Sequence, residues 1–207
     1  MRQTIFTIGH STHSQARLRA LLQLHDITAV CDVRSRPYSR RNPQCNREDL
    51  KKALVDNGIA YVFLGKELGA RSEDAACYDG GKVQYERLAQ TDLFRAGLDR
   101  VCEGIQRYRV ALMCAEKEPL DCHRTILIAR HLQDLDFAVQ HIHADGALER
   151  HEAALTRLIK DLQLPDHDMF RSRADIVMDA YRLQEKRIAY GRSDVLHESA
   201  AMKRFAG

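Results

Sequence analysis

Five short apolar runs punctuate the chain, and stretches with helical spacing lie between them. "TIFTIGH" reads as a buried strand ending at Gly9. Beyond Ser11 or Ser14 the spacing of Leu18, Leu21 and Leu22 becomes that of a helix's inner face. "ITAVCDV" is the second strand and runs out into the polar stretch "RSRPYSRRNPQCN". Asn46, with Glu48 and Asp49 in the first turn, predicts the cap of a helix that carries Leu50, Ala53 and Leu54 and that Gly58 ends. "AYVFLG" is the third strand. Residues 65–81 contain Gly65, Gly69, Gly80 and Gly81 and predict a long loop. Leu88, Leu98, Val101 and Ile105 mark helix between Tyr85 and Tyr108, with a break near Thr91 and Asp92. "RVALMC" is the fourth strand, residues 122–135 a helix, and "FAVQHI" the fifth strand.

Strands that alternate with helices need crossover connections, so the pattern predicts an α/β fold: a mostly parallel sheet of about five strands with helices on both faces. Residues 1–150 form that domain in this reading. Residues 151–207 form a C-terminal helical extension, interrupted at Pro165 and resumed with Ile176, Val177, Ala180, Leu183 and Ile188 inward, before a loose tail from Gly191. Open parallel sheets bind ligands beyond the carboxyl ends of their strands. That rule gathers Gly9-His10-Ser11, Asp32-Val33-Arg34, the Gly65–Gly69 stretch, Cys114–Arg124, and His141 with His143.

Composition narrows what such an edge does. With 207 residues, 44% hydrophobic and 29% charged, the chain can bury one good core and is too apolar for disorder. A net charge of +3 does not by itself mark a nucleic-acid binder, so local clusters must carry that argument. The apolar stretch at the N-terminus is too short for an export signal and no run is long enough to span a bilayer. A cytoplasmic protein with no membrane partner and six reduced cysteines is expected.

The chemistry concentrates in "RVALMCAEKEPLDCHRTILIARHL". Cys114 is expected at a strand tip. Cys122 falls in the first turn of the next helix with Asp121 as its cap, where free amides and the neighbouring His123 and Arg124 favour a thiolate. The two thiols read as nucleophiles, as soft metal ligands together with His123 and Cys45 or His10, or as small buried apolar groups. The chain has no CxxC pair and the 114–122 spacing is unlike a zinc ribbon, so no metal ligand is assigned and no cofactor is named. Glu116 is a candidate general base, whereas Lys117 and Glu118 point to water. His10, on a strand-to-helix turn, reads as a base, an anion donor or a structural histidine. In "DVRSRPYSRRN", Asp32 can orient Arg34, while Arg36, Arg40 and Arg41 with Tyr38 suit phosphate oxygens and a stacked base, or form a solvated basic loop. The candidate catalytic set is therefore Cys114, Cys122, His10, Glu116 and His123. The candidate substrate-binding set is Asp32, Arg34, Arg36, Tyr38, Arg40, Arg41, Arg124 and His141. Cys31 and Cys102 read as core, and Cys77 as incidental to its loop.

"TIGHST", "DVRSRPYSRRNPQCN", "GIAYVFLGKELGA", "LMCAEKEPLDCHR" and "VQHI", in that order over residues 4 to about 145, resemble the bacterial and archaeal family called DUF488. "MFRSRADIVMDAYRLQEKRIAY" is similar to an extension in its longer members. The resemblance implies a site of His10, Asp32, Arg34, Cys114, Glu116, Cys122, His123 and Arg124, without a reaction. Three functional readings stand: an enzyme binding an anionic small molecule or nucleic acid, a metal-binding or redox-sensing thiol module, and a nucleic-acid adaptor without catalysis. Oligomeric state is not legible.

Overall fold

The computed structural model describes residues 2–191, so the expected loose tail from Gly191 lies almost wholly outside the described residues. The apolar runs become β1 (Thr4–Gly9), β2 (Ala29–Asp32) and β3 (Ala60–Phe63), separated by α1 (Gln15–Leu24) and α2 (Arg47–Val55). The long loop holds a short hairpin of β4 (Tyr78–Asp79) and β5 (Lys82–Val83), which no sequence periodicity announced. The helical region divides, as expected near Thr91, into α3 (Tyr85–Ala89) and α4 (Asp92–Ile105), with the Thr91 side chain accepting from the Phe94 amide. There follow β6 (Val110–Cys114), a π-helical stretch Arg124–Ala129 that runs into α5 (Arg130–Asp134), and β7 (Ala138–Ile142). The last elements among the described residues are β8 (Leu148–Arg150), α6 (His151–Asp161) and α7 (Arg173–Ile188).

The main sheet has six strands in the order β3-β2-β6-β1-β7-β8. Five run parallel, and β8 adds an antiparallel edge against β7, in a stretch whose polar sequence reads as the start of a helix. Alternating residues serve the two faces. Phe6, Ile8, Val30, Ala111 and Met113 pack under Leu18, Leu21 and Leu22 of α1 and Leu50 and Leu54 of α2. Ile5, Cys31, Val33, Leu112 and Cys114 pack under α4, the 124–134 helical run, α6 and α7. Among the described residues no helix is long and apolar enough to cross a membrane.

Several local expectations change. Asn46 precedes α2 but caps it with no side-chain bond; its Oδ1 instead accepts from the Ser39 amide at 2.7 Å and ties down the arginine loop. Asp121 belongs to a 3-10 turn, Pro119–Asp121, and does not cap the following helical stretch; the turn closes at Cys122. The Cys122 carbonyl accepts from the Thr125 and Ile126 amides and its sulfur from the Arg124 amide at 3.4 Å. On α7, Leu183 faces out and Gln184 faces in, donating to the Leu120 carbonyl and Asp121 Oδ1. Cys77 is buried in the core, whereas Cys102 is only half-buried.

Candidate functional site

The parallel register brings the expected segments to one edge. Gly9 pairs with Cys114, and Asp32 with Met113. The 115–117 turn then crosses the tip of β1 so closely that a Cβ on Gly9 would lie 1.9 Å from the Glu116 carbonyl oxygen, which is why only glycine fits there. The turn is pinned from both sides: the His10 and Ser11 amides donate to the Cys114 and Ala115 carbonyls, and Arg124 Nη1 donates to the Glu116 carbonyl at 2.8 Å.

Because Asp32 shares the sheet face of Met113 and not that of Cys114, the edge carries two networks. The first is built on Arg34, which forms a two-point ion pair with Asp32 (Nε to Oδ1 2.8 Å, Nη2 to Oδ2 2.6 Å), while Tyr61 donates to the same carboxylate at 2.7 Å. Arg34 Nη1 reaches the Cys45 carbonyl at 2.9 Å and His10 Nε2 at 3.0 Å. A guanidinium only donates, so His10 Nε2 accepts and its Nδ1–H donates to the Ser11 carbonyl at 2.9 Å. Both ring nitrogens are thus engaged. Burial, reinforced by the Arg34 charge, pushes the His10 pKa down to about 4. His10 holds Arg34 in place as a neutral imidazole.

The second network joins Cys114, Glu116, Cys122 and His123. His123 Nε2 lies 3.1 Å from the Val33 carbonyl, which can only accept, so Nε2 carries a proton and Nδ1 is turned toward the thiols. Nδ1 faces Cys114 Sγ at 3.7 Å and Cys122 Sγ at 3.8 Å. Glu116 Oε2 and Cys122 Sγ stand 3.0 Å apart and share one proton. Burial drives the Cys114 thiol well above its ordinary range. Burial opposes ionisation of Cys122 too, but the Cys114 hydrogen bond and the Arg124 and His123 charges outweigh it and hold Cys122 well below the ordinary thiol range. Burial and the neighbouring Cys122 raise Glu116 above the ordinary carboxylate range.

A cleft of about 360 Å³ opens over this second network. Cys114, Glu116 and His123 form its floor, Arg34, Arg36 and Arg71 one wall, and Arg187 and Tyr190 the other. Among the described residues Arg36, Arg71 and Arg187 make no ion pair, and Arg71 stacks over the Tyr190 ring at 4.4 Å. A larger hollow of about 560 Å³ between α4 and the β2–β3 side of the sheet contains none of these reactive groups.

Of the sequence candidates, Cys114, Glu116, Cys122 and His123 meet in one cluster, and His10, Asp32 and Arg34 in the network beside it. Arg36 lines the cleft. Tyr38, Arg40 and Arg41 are exposed on the neighbouring loop and do not line it. Arg124 is wholly buried and clamps loop carbonyls, with its Nε unpartnered, so it does not face a ligand. His141 is also wholly buried. It bonds Thr7 Oγ1 at 2.8 Å and His151 Nδ1 at 2.9 Å, and His151 Nε2 reaches the Tyr181 hydroxyl at 2.7 Å. This chain of side chains joins the sheet to α7, away from the cleft. His143 pairs with Glu149. Sequence reasoning did not find Arg71, Arg187 or Tyr190. Arg71 lies just past the Gly65–Gly69 stretch that the strand-end rule named, but nothing in the text of the extension ties Arg187 or Tyr190 to the sheet edge.

No curated protein and no solved structure matches this chain. A family model described as "Domain of unknown function DUF488" matches residues 14–131, a span running from the cap of α1 into α5. It contains the arginine loop and all four members of the thiol cluster, and leaves out the tip of β1 and the α7 wall; the chain belongs to the DUF488 family.

Proposed function

We propose that the protein is an enzyme that binds an anionic, phosphate-bearing ligand, a nucleotide or a nucleic acid, in the cleft at the carboxyl edge of the sheet. The observation that carries this reading is the coincidence of three guanidinium groups without an ion-pair partner among the described residues, Arg36, Arg71 and Arg187, with a floor of buried Cys114 and His123 and solvent-reached Glu116 in one pocket. Guanidinium forks suit phosphate oxygens, and a thiol, a carboxyl and an imidazole gathered in one cluster are groups that transfer protons or attack electrophiles. In this reading the arginines hold the anion while the floor meets its reacting end. Glu116, beside Cys122 and open to the cleft, moves the proton. Asp32, Arg34 and His10 position the arginine loop and do not touch the reacting atoms.

The adaptor reading draws support from the neighbouring loop, where Tyr38 is 71% exposed beside exposed Arg40 and Arg41. A polynucleotide could cross that loop on its way to the cleft, so the loop extends the enzyme reading. Six free cysteines, five of them buried, suit a reducing, cytoplasmic setting. The test is a mass-spectrometric screen of phosphorylated metabolites and short single-stranded oligonucleotides, incubated with the wild type and with Glu116→Gln. A product made by the wild type and lost in the variant supports the enzyme. Tight binding that needs Arg40 and Arg41 but not Arg71, without turnover, supports the adaptor.

A further inference from the structure

Cys114 Sγ, Cys122 Sγ and His123 Nδ1 all lie within 4.8 Å of one another, and all three residues are buried. A tetrahedral zinc ion, with bonds of about 2.3 Å to sulfur and about 2.0 Å to nitrogen, holds a nitrogen and a sulfur ligand roughly 3.5 Å apart. The two nitrogen–sulfur separations here are 3.7 and 3.8 Å. Two edges of the coordination tetrahedron therefore stand close to their bonded lengths before any ion is considered.

The surroundings of the three donors point the same way. The Val33 carbonyl accepts from His123 Nε2 at 3.1 Å, which fixes the ring orientation and turns Nδ1 toward the two sulfurs. An outer hydrogen bond of this kind is what metal-binding imidazoles make with their second nitrogen. The Arg124 amide donates to Cys122 Sγ at 3.4 Å and offsets sulfur charge. Simple apolar packing of two thiols requires neither an imidazole nitrogen facing both of them nor a ring held in that orientation.

We propose that Cys114, Cys122 and His123 bind one zinc ion, with the fourth coordination position open to the cleft. Two thiolates and an imidazole form a soft donor set that favours zinc over magnesium or calcium. Three protein ligands with an open position match a catalytic zinc site more closely than a closed structural one. Cys114 and His123 border the cleft, so a ligand there reaches the open position directly, and Glu116 stands beside it at 3.0 Å from Cys122 Sγ. The inference deepens the enzyme reading by placing a Lewis acid at the floor of the same cleft.

The test uses the full chain, reduced and stripped with a chelator. Zinc is titrated against a chromophoric indicator, and cobalt(II) is added separately and followed by absorption. The expected result is a single equivalent of zinc, an intense tetrahedral cobalt spectrum with thiolate-to-metal charge transfer, and protection by zinc of two of the six thiols from alkylation. Cys114→Ser and Cys122→Ser should each weaken binding by at least about tenfold. If either variant does not fold, the wild-type cobalt spectrum and the thiol count decide. A wild type that takes up no zinc at micromolar concentration, cobalt without charge transfer, or folded serine variants that bind zinc as the wild type does would overturn the proposal. Nucleoside monophosphate binding is measured on the same stripped protein. Anion binding without zinc binding removes the metal and keeps the cleft, and zinc binding without anion binding does the reverse.

Discussion

Replacing His151 with Gln should change how stability depends on pH more than it changes the fold. His151 is wholly buried between His141 Nε2 and the Tyr181 hydroxyl, and burial, against the opposing pull of Glu152 and Glu149, lowers its pKa from 6.5 to about 4. His141 is lowered as well, by burial and by His151. The ring-to-ring junction holds a single proton, so the two imidazoles cannot both be charged in this geometry. A histidine that is neutral in the fold and basic when unfolded makes the unfolded chain the stronger proton acceptor below 6.5. Its contribution is therefore complete above pH 6.5 and is lost as pH falls toward 4. The loss from His151 alone is about 1.4 kcal/mol per pH unit, or roughly 2 kcal/mol by about pH 5. Urea denaturation of the wild type and of His151→Gln at several pH values from about 7 down to about 5 measures this. The variant should be less stable near neutrality and its stability should fall less steeply with acid, by one proton's worth of slope. Parallel curves for the two proteins would refute the argument, because they would show that His151 does not take up a proton on unfolding in this range.

Gly9→Ala should cost about 1–3 kcal/mol in thermal or urea unfolding and weaken ligand binding, since its methyl group drives the Glu116 carbonyl off its Arg124 bond. Ser172→Ala removes the side-chain half of the α7 capping box, leaving the Asp175 carboxylate on the residue-172 amide, and should cost about 1 kcal/mol while leaving ligand affinity unchanged, which serves as a control. Arg71→Gln should weaken binding of a single-stranded oligonucleotide and reduce the slope of log affinity against log salt by about 0.7, measured by fluorescence anisotropy.

The sheet was legible because its central strands are buried on both faces and their apolar runs stand out. β8 was not, since a solvated edge strand of Leu148, Glu149 and Arg150 has no apolar periodicity, and the β4–β5 hairpin is too short to show any. The cluster of Cys114, Glu116, Cys122 and His123 was legible because one turn carries all four, and the strand-end rule placed that turn at the edge. Spacing along the chain does not reveal which side of the sheet a side chain takes at its tip. That is why Asp32 and Arg34 fall into a network separate from Cys114, and why His141, two residues along the register from Gly9, turns into the core. The α7 wall was hidden for a different reason. Gln184 anchors the helix through a buried polar contact to Leu120 and Asp121, in a position that a hydrophobic pattern gives to Leu183.

The central claim is that the anion site and the thiol cluster are one place. Two-dimensional NMR of the isotopically labelled chain, titrated with a nucleoside monophosphate, tests it most directly. Saturable shifts are expected for Arg36, Arg71, Glu116, His123 and Tyr190 together, with one common dissociation constant. Shifts confined to the exposed loop of Arg40 and Arg41, with His123 and Glu116 unmoved at saturation, would contradict it.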